Sequence, residues 1–184
     1  MAKDLVIVES PAKARTIGRF LGSKYIAMAS MGHVRDLPKR TIGVDVEKNF
    51  RPTYTLLSDK KKIVAELRKA SEDADAVYLA TDPDREGEAI SWHLYEILKE
   101  RGALDGKQVH RIVFFEITKH AVKEAVKHPR GLSNALISAQ QARRALDYLV
   151  GFNLSPLLWK KIKPGLSILI LQGKVFRMIA EKMG

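Results

Sequence analysis

The chain has 184 residues, 32 Lys+Arg against 21 Asp+Glu, and a net charge of +11. Such a length suits one ordinary domain with a smaller appendage, and 46% hydrophobic with 29% charged residues is a globular rather than a disordered balance. Cysteine is absent, which excludes disulfides, a thiol nucleophile and thiolate-held zinc or iron–sulfur centres.

The N-terminus is charged too soon for a signal peptide. The late apolar run at 166–171 is far below the roughly 20 residues a membrane-spanning helix needs. The chain therefore reads as soluble and cytoplasmic, with no membrane partner. Its positive surplus points to a polyanion, nucleic acid ahead of an acidic lipid surface.

In chain order, residues 5–8 (Leu-Val-Ile-Val) are a short apolar, β-branched run, the pattern of a parallel strand buried on both faces. Ser10 suits a helix N-cap and Pro11 the first helical position; Ile17, Phe20 and Leu21 give that helix a buried face and Gly22 an end. A second strand is expected over 25–31. Residues 32–58 read mostly as loop with a short strand at 41–46, followed by a helix over 59–70 and a strand over 76–80. A polar loop at 81–87 leads into an amphipathic helix ending near Gly102, then a strand at 111–115 and a helix at 118–127.

This alternation predicts an α/β fold, a mainly parallel sheet covered by helices. After Pro129-Arg130-Gly131 the strand signals stop, and 132–150, 155–162 and 172–182 read as helices. The expected division is an α/β domain over 1–130 and a smaller all-helical segment over 131–184.

The strongest local signal is Thr81-Asp82-Pro83-Asp84-Arg85-Glu86-Gly87-Glu88. In open parallel sheets ligands gather beyond the carboxyl ends of the strands, where Asp82 and Asp84 are expected. With Glu86 they make an all-oxygen set suited to Mg2+, and Glu9, ending the first strand, joins them if the two strands are neighbours. The bland alternative is that Asp82 and Asp84 cap the following helix. Glu9 is either a general acid or base beside a helix start or a plain helix-start carboxylate. Lys13 and Arg15 could hold a phosphate near that helix N-terminus. The five histidines lack paired ligand spacing, so zinc is rejected, and no GxxxxGK[ST] loop argues for NTP. His93, following Trp92 in a helix, reads as structural.

Val8-Glu9-Ser10-Pro11-Ala12-Lys13-Ala14, Ser30-Met31-Gly32-His33-Val34-Arg35-Asp36-Leu37-Pro38, the acidic run extended from Ala80 to Ala89, and Glu116-Ile117-Thr118 occur in order along the chain. Ala139-Gln140-Gln141-Ala142-Arg143-Arg144-Ala145-Leu146-Asp147 and Leu154-Ser155-Pro156-Leu157-Leu158-Trp159-Lys160-Lys161 follow. Together they resemble the TOPRIM domain and part of the adjoining helical domain of bacterial type IA DNA topoisomerases. The resemblance implies a Rossmann-like TOPRIM fold and cleavage and rejoining of one DNA strand through a phosphotyrosine link, with Mg2+ and without ATP. It implies that Glu9 assists proton transfer at the scissile phosphate, that Lys13 contacts that phosphate, and that Glu9, Asp82, Asp84 and Glu86 form the metal site. It further implies that His33, Arg143, Arg144, Asp147 and Trp159 line the path of single-stranded DNA, and that the protein associates with the nucleoid.

Two departures qualify the resemblance. The family's nucleophile sits in a Tyr-x-Arg-Thr context, which none of Tyr25, Tyr54, Tyr78, Tyr95 and Tyr148 has, so the chain alone is expected not to relax DNA. After Gly165-Leu166-Ser167 the family continues Ala-Gly-Arg-Val-Gln-Ser, whereas here Ile168-Leu169-Ile170-Leu171-Gln172-Gly173 follows. That apolar run either covers surface the family's other domains would bury or pairs with another copy of the chain. The alternatives to a topoisomerase piece are a stand-alone Mg2+-dependent TOPRIM nuclease and a non-catalytic DNA-binding module.

On residue types alone, Asp147 can pair with Arg143 or Arg144 at helical spacing. Trp159, beside Lys160 and Lys161, could stack a base, although Leu157, Leu158 and Ile162 favour packing.

Overall fold

The structure is a computed structural model that describes residues 3–38, 41 and 43–161. Its elements are β1 (Asp4–Val8), α1 (Pro11–Leu21), β2 (Tyr25–Ala29), the two-residue strands β3 (Arg35–Asp36), β4 (Val44–Asp45), β5 (Arg51–Pro52) and β6 (Thr55–Leu56), then α2 (Lys61–Asp73), β7 (Ala76–Leu79), α3 (Arg85–Glu100), β8 (Gln108–Arg111), α4 (Lys119–Lys127) and α5 (Asn134–Lys161).

The chain divides into two units, Met1–Asp36 with Tyr54–Gln140, and Leu37–Thr53 with Gln141–Gly184. The first is built on a parallel sheet of order β2-β1-β7-β8. Leu5 to Val8 are each at most 1% exposed because the sheet is covered on both faces. Leu5, Ile7, Val77 and Leu79 pack against Val64 and Leu67 of α2 and Leu94 and Ile97 of α3. Val6 and Val8 point the other way, toward Ile17 of α1 and Val122 of α4. The period-2 alternation of a strand thus feeds two cores at once.

Helix starts follow local chemistry. The Ser10 hydroxyl accepts from the Lys13 N–H at 3.4 Å with Pro11 at the first position, and Gly22, at φ +82°, ends α1. Thr118 caps α4 by accepting from the Ala121 N–H at 3.2 Å.

The second unit contains the antiparallel β4–β5 pair, closed by the Thr53 N–H donating to Gly43 O at 2.8 Å. The Tyr148 hydroxyl accepts from the Gly43 N–H at 3.1 Å and faces the carbonyls of Pro38 and Thr41. Its ring stacks on Phe152, centroids 6.0 Å apart.

The structure departs from the sequence reading in four places. The second strand stops at Ala29, because Met31 (φ 61°) and Gly32 (φ 83°) turn through the left-handed region. The stretch read as mostly loop holds four two-residue strands; Val44–Asp45 falls within the short strand expected at 41–46, and the other three are too short to give a pattern. The strand expected at 111–115 is Gln108–Arg111 instead, its length set by its partner β7. Ile112 donates once more to Leu79 O at 3.0 Å, after which the chain leaves the sheet and Phe115 is 91% exposed.

The fourth departure concerns the two helices expected at 132–150 and 155–162, which are one. Helix α5 runs through Ser155-Pro156, where proline removes a single ladder donor. The expected helix at 172–182 and the apolar run at 168–171 lie outside the described residues. Among the described residues no helix is long and apolar enough to cross a membrane.

Candidate active site at the strand ends

From β1 the chain proceeds outward to β2 on one side, and later returns to place β7 on the other side of β1. The topological switch point, where open α/β sheets hold ligands, therefore lies between the carboxyl ends of β1 and β7. Glu9 follows β1 and Asp82 follows β7, and the neighbouring registers carry both to the same crevice, with Ala80 N–H donating to Ile7 O at 2.8 Å.

Lys13, one turn into α1, donates from its Nζ to both Glu9 Oε1 and Asp82 Oδ1. Burial pulls its ammonium pKa down, but hydrogen bonds to Asp82 and Glu9 and their charges outweigh this and hold it above its ordinary 10.5. Glu9 Oε2 is buried and has no hydrogen-bond partner among the described residues.

The other two predicted carboxylates are placed differently. Asp84 is the N-cap of α3, its carboxylate accepting from the Gly87 N–H at 2.8 Å, so the capping alternative holds for Asp84. Asp82 pairs with Lys13. Glu86 is 47% exposed and lies 3.3 Å from His33 Nε2 and 3.4 Å from Gln140 Nε2. His33 reaches it because the Gly32 N–H donates to Glu9 O at 2.9 Å, folding the chain after β2 over the strand ends.

Among the described residues no three carboxylates or imidazoles close on a common point as a ready cage. The donor set nevertheless fits a hard, partly hydrated divalent cation. Its four carboxylates supply oxygen alone, beside the Lys13 ammonium and the His33 imidazole, and one buried oxygen on Glu9 lacks a donor among the described residues.

Of the residues expected along a DNA path, Arg143 is exposed and pairs with Asp147 at 3.7 Å, four residues on in the same helix. Arg144 is half-buried on that helix. Trp159 falls in α5, but its side chain lies outside the described residues.

Behind the acidic loop stands a group that sequence reasoning passed over. Arg111 is fully buried and donates from Nη1 to the carbonyls of Leu79, Thr81 and Ile112 (3.1, 2.8 and 2.8 Å) and from Nη2 to that of Asp82 at 2.6 Å. Its Nε donates to Glu88 Oε2 at 3.0 Å. Glu88, 0% exposed, also accepts from Arg130 at 2.9 and 2.7 Å and from the Ser133 N–H at 2.6 Å.

Burial raises the Glu88 pKa, but the hydrogen bonds from Arg130, the Ser133 N–H and Arg111 outweigh it and keep the carboxyl below its ordinary 4.5. The Thr81 hydroxyl ties the same loop to Gly87 O at 2.5 Å and to Ser91 at 2.7 Å. A Cβ at Gly87 would run into the Asp82 carbonyl, which is why glycine stands where α3 meets the loop. The available signal was a lone arginine at the edge of an apolar run, since a charge in a buried strand implies a buried partner.

His93 is 2% exposed; its Nδ1 accepts from Arg35 Nε at 3.1 Å, and its ring meets Tyr54 at 4.5 Å between centroids. Burial, with the nearby charges of Arg35 and His33, lowers its pKa from 6.5 to about 3.

Fold and site together define a Rossmann-like α/β domain with an acidic crevice at its switch point. The chain belongs to the Toprim domain family, whose model matches residues 4–117. It is 57% identical over 182 residues to the DNA topoisomerase 1 of two Xylella fastidiosa strains, Temecula1 and 9a5c, which covers 99% of this chain and 22% of each relative. The structure of full-length topoisomerase I from Thermotoga maritima is similar at TM-score 0.79 and 46% identity, over 89% of this chain and 27% of that one. The chain thus spans less than a third of the length of these relatives.

Proposed function

We propose that the chain is the N-terminal, Toprim-containing part of a bacterial type IA DNA topoisomerase. It binds Mg2+ and single-stranded DNA and supplies the acidic half of a strand cleavage and rejoining site. The observation that carries this reading is the meeting of Glu9, Lys13 and Asp82 at the switch point, with a buried Glu9 oxygen that has no hydrogen-bond partner among the described residues.

Asp82, Asp84, Glu86 and Glu9 would hold Mg2+, which when bound offsets negative charge on the scissile phosphate. Glu9, one oxygen steadied by Lys13, moves a proton to and from the oxygen that leaves the phosphate. Lys13, kept cationic at neutral pH by its two carboxylate neighbours, contacts the phosphate itself. Arg111 fixes the backbone from which Asp82 projects, so the carboxylate is positioned before any ligand arrives.

Residues 1–130 carry this chemistry. Residues 131–184 form part of the DNA-binding domain, where Arg143, Arg144, Asp147 and Trp159, with His33, line the strand. No tyrosine here has the nucleophile's setting, so the chain alone does not relax DNA; it acts in the cytoplasm, on nucleoid DNA, without ATP and together with further topoisomerase domains.

The test is to incubate the chain and Mg2+ with supercoiled plasmid and end-labelled single-stranded DNA, then run native and denaturing gels. The expected result is a retarded single strand with neither cleavage nor a covalent adduct. An adduct overturns the claim that the nucleophile is elsewhere. Nicking that needs Mg2+ and is lost in Glu9→Gln identifies a nuclease, and no retardation at all contradicts the DNA reading.

A further inference from the structure

Gln140 lies in the second turn of α5 and is 6% exposed. Its Nε2 donates to Glu86 Oε2 at 3.4 Å, the oxygen that also faces His33. Its Oε1 is buried and accepts no hydrogen bond among the described residues. The opposite amide orientation would set oxygen against carboxylate oxygen, so Glu86 dictates which end is free. Folds leave few buried acceptors unpaired, because each forfeits its bonds to water.

This carboxamide oxygen needs a donor, and it belongs to a side chain in contact with Glu86. Mg2+ sheds water reluctantly and keeps several ligand waters, each a strong hydrogen-bond donor. Side chains that orient a metal's ligands without touching the metal commonly tune its affinity.

We infer that Gln140 belongs to the outer shell of the cation at the strand ends: Nε2 orients Glu86, and Oε1 accepts a hydrogen bond from the cation's hydration water. The inference rests on the reading of the acidic crevice as a Mg2+ site. Gln140 is a positioning residue, and through it the first turns of α5 are tied to the state of that site.

The test is calorimetric titration of Mg2+ into the 184-residue chain as wild type, Gln140→Met, Gln140→Glu and Asp82→Asn, with thermal melts in EDTA. Gln140→Met should weaken Mg2+ binding about tenfold, as loss of an outer-shell partner does. Its melting temperature in EDTA should not fall, since an unpaired buried oxygen is removed. Gln140→Glu, which keeps an acceptor oxygen but loses the donor that orients Glu86, should also bind Mg2+ more weakly than the wild type.

Unchanged affinity in Gln140→Met, or a lowered melting temperature in EDTA, overturns the assignment and leaves Gln140 a packing residue. If Asp82→Asn weakens binding while Gln140→Met does not, only this inference fails. If the wild type takes up no Mg2+, or Asp82→Asn binds as the wild type does, the metal reading falls with it.

Discussion

Glu86 and Glu88 sit on the first turn of α3 with one glycine between them, and they do opposite things. Glu88 faces inward, fully buried, and is held by Arg111, Arg130 and the Ser133 N–H. Glu86 faces the crevice, nearly half exposed, and among the described residues has only long contacts to His33 and Gln140. The same residue type, two positions apart, is scaffold in one case and an under-bonded, accessible ligand in the other. An acidic run at a helix start therefore contains two populations, separated by helical phase and by the donors that reach each carboxylate.

The largest expected effect lies on the scaffold side. Glu88→Ala leaves Arg111 buried without its anion, and urea denaturation should show a loss of about 3–5 kcal/mol. A loss below about 1 kcal/mol, the range of an exposed pair, would erase the contrast with Glu86.

The next effect is in the acid range. His93 is neutral in the fold, with a pKa of about 3 against an ordinary 6.5. Between those values the unfolded chain binds a proton that the native chain does not, so stability present above pH 6.5 is lost as pH falls. By pH 5 its contribution should have declined by about 2 kcal/mol. His93→Asn should flatten that slope, and the His93 ring should stay neutral by NMR at pH 5.

Asp84 joins the two classes, since it caps α3 and also belongs to the proposed ligand set. Asp84→Ala should lose about 1 kcal/mol of stability from the cap alone, read by thermal melting. Smallest of all, Glu86→Gln should change stability by less than about 0.5 kcal/mol, as exposed substitutions do. A larger drop would place Glu86 with the scaffold.

How much of this was legible in the sequence follows the same division. Residues 5–8 declared a strand buried on both faces, and Ser10-Pro11 declared where α1 begins, because those signals are local. That Glu9 and Asp82 meet is a consequence of β7 pairing with β1, a long-range event that the sequence reading could state only as a condition. Strand β8 was misplaced because its extent is set by β7 rather than by its own apolar residues, and Arg111 sits just where the apolar pattern begins. Spacing grouped Glu86 with the two aspartates but gave no role to Glu88, since its donors Arg111, Arg130 and Ser133 lie far along the chain. Gln140 carried no signal until its partner was known.

The central claim is that Asp82 and Glu86 are held for a cation rather than for the fold. The most direct test compares the wild type with the Asp82→Asn/Glu86→Gln double variant by Mg2+ titration and thermal melting on the same preparations. The account predicts that the double variant loses Mg2+ binding while its melting temperature stays near that of the wild type. Mg2+ binding retained at wild-type affinity in a folded double variant would contradict it.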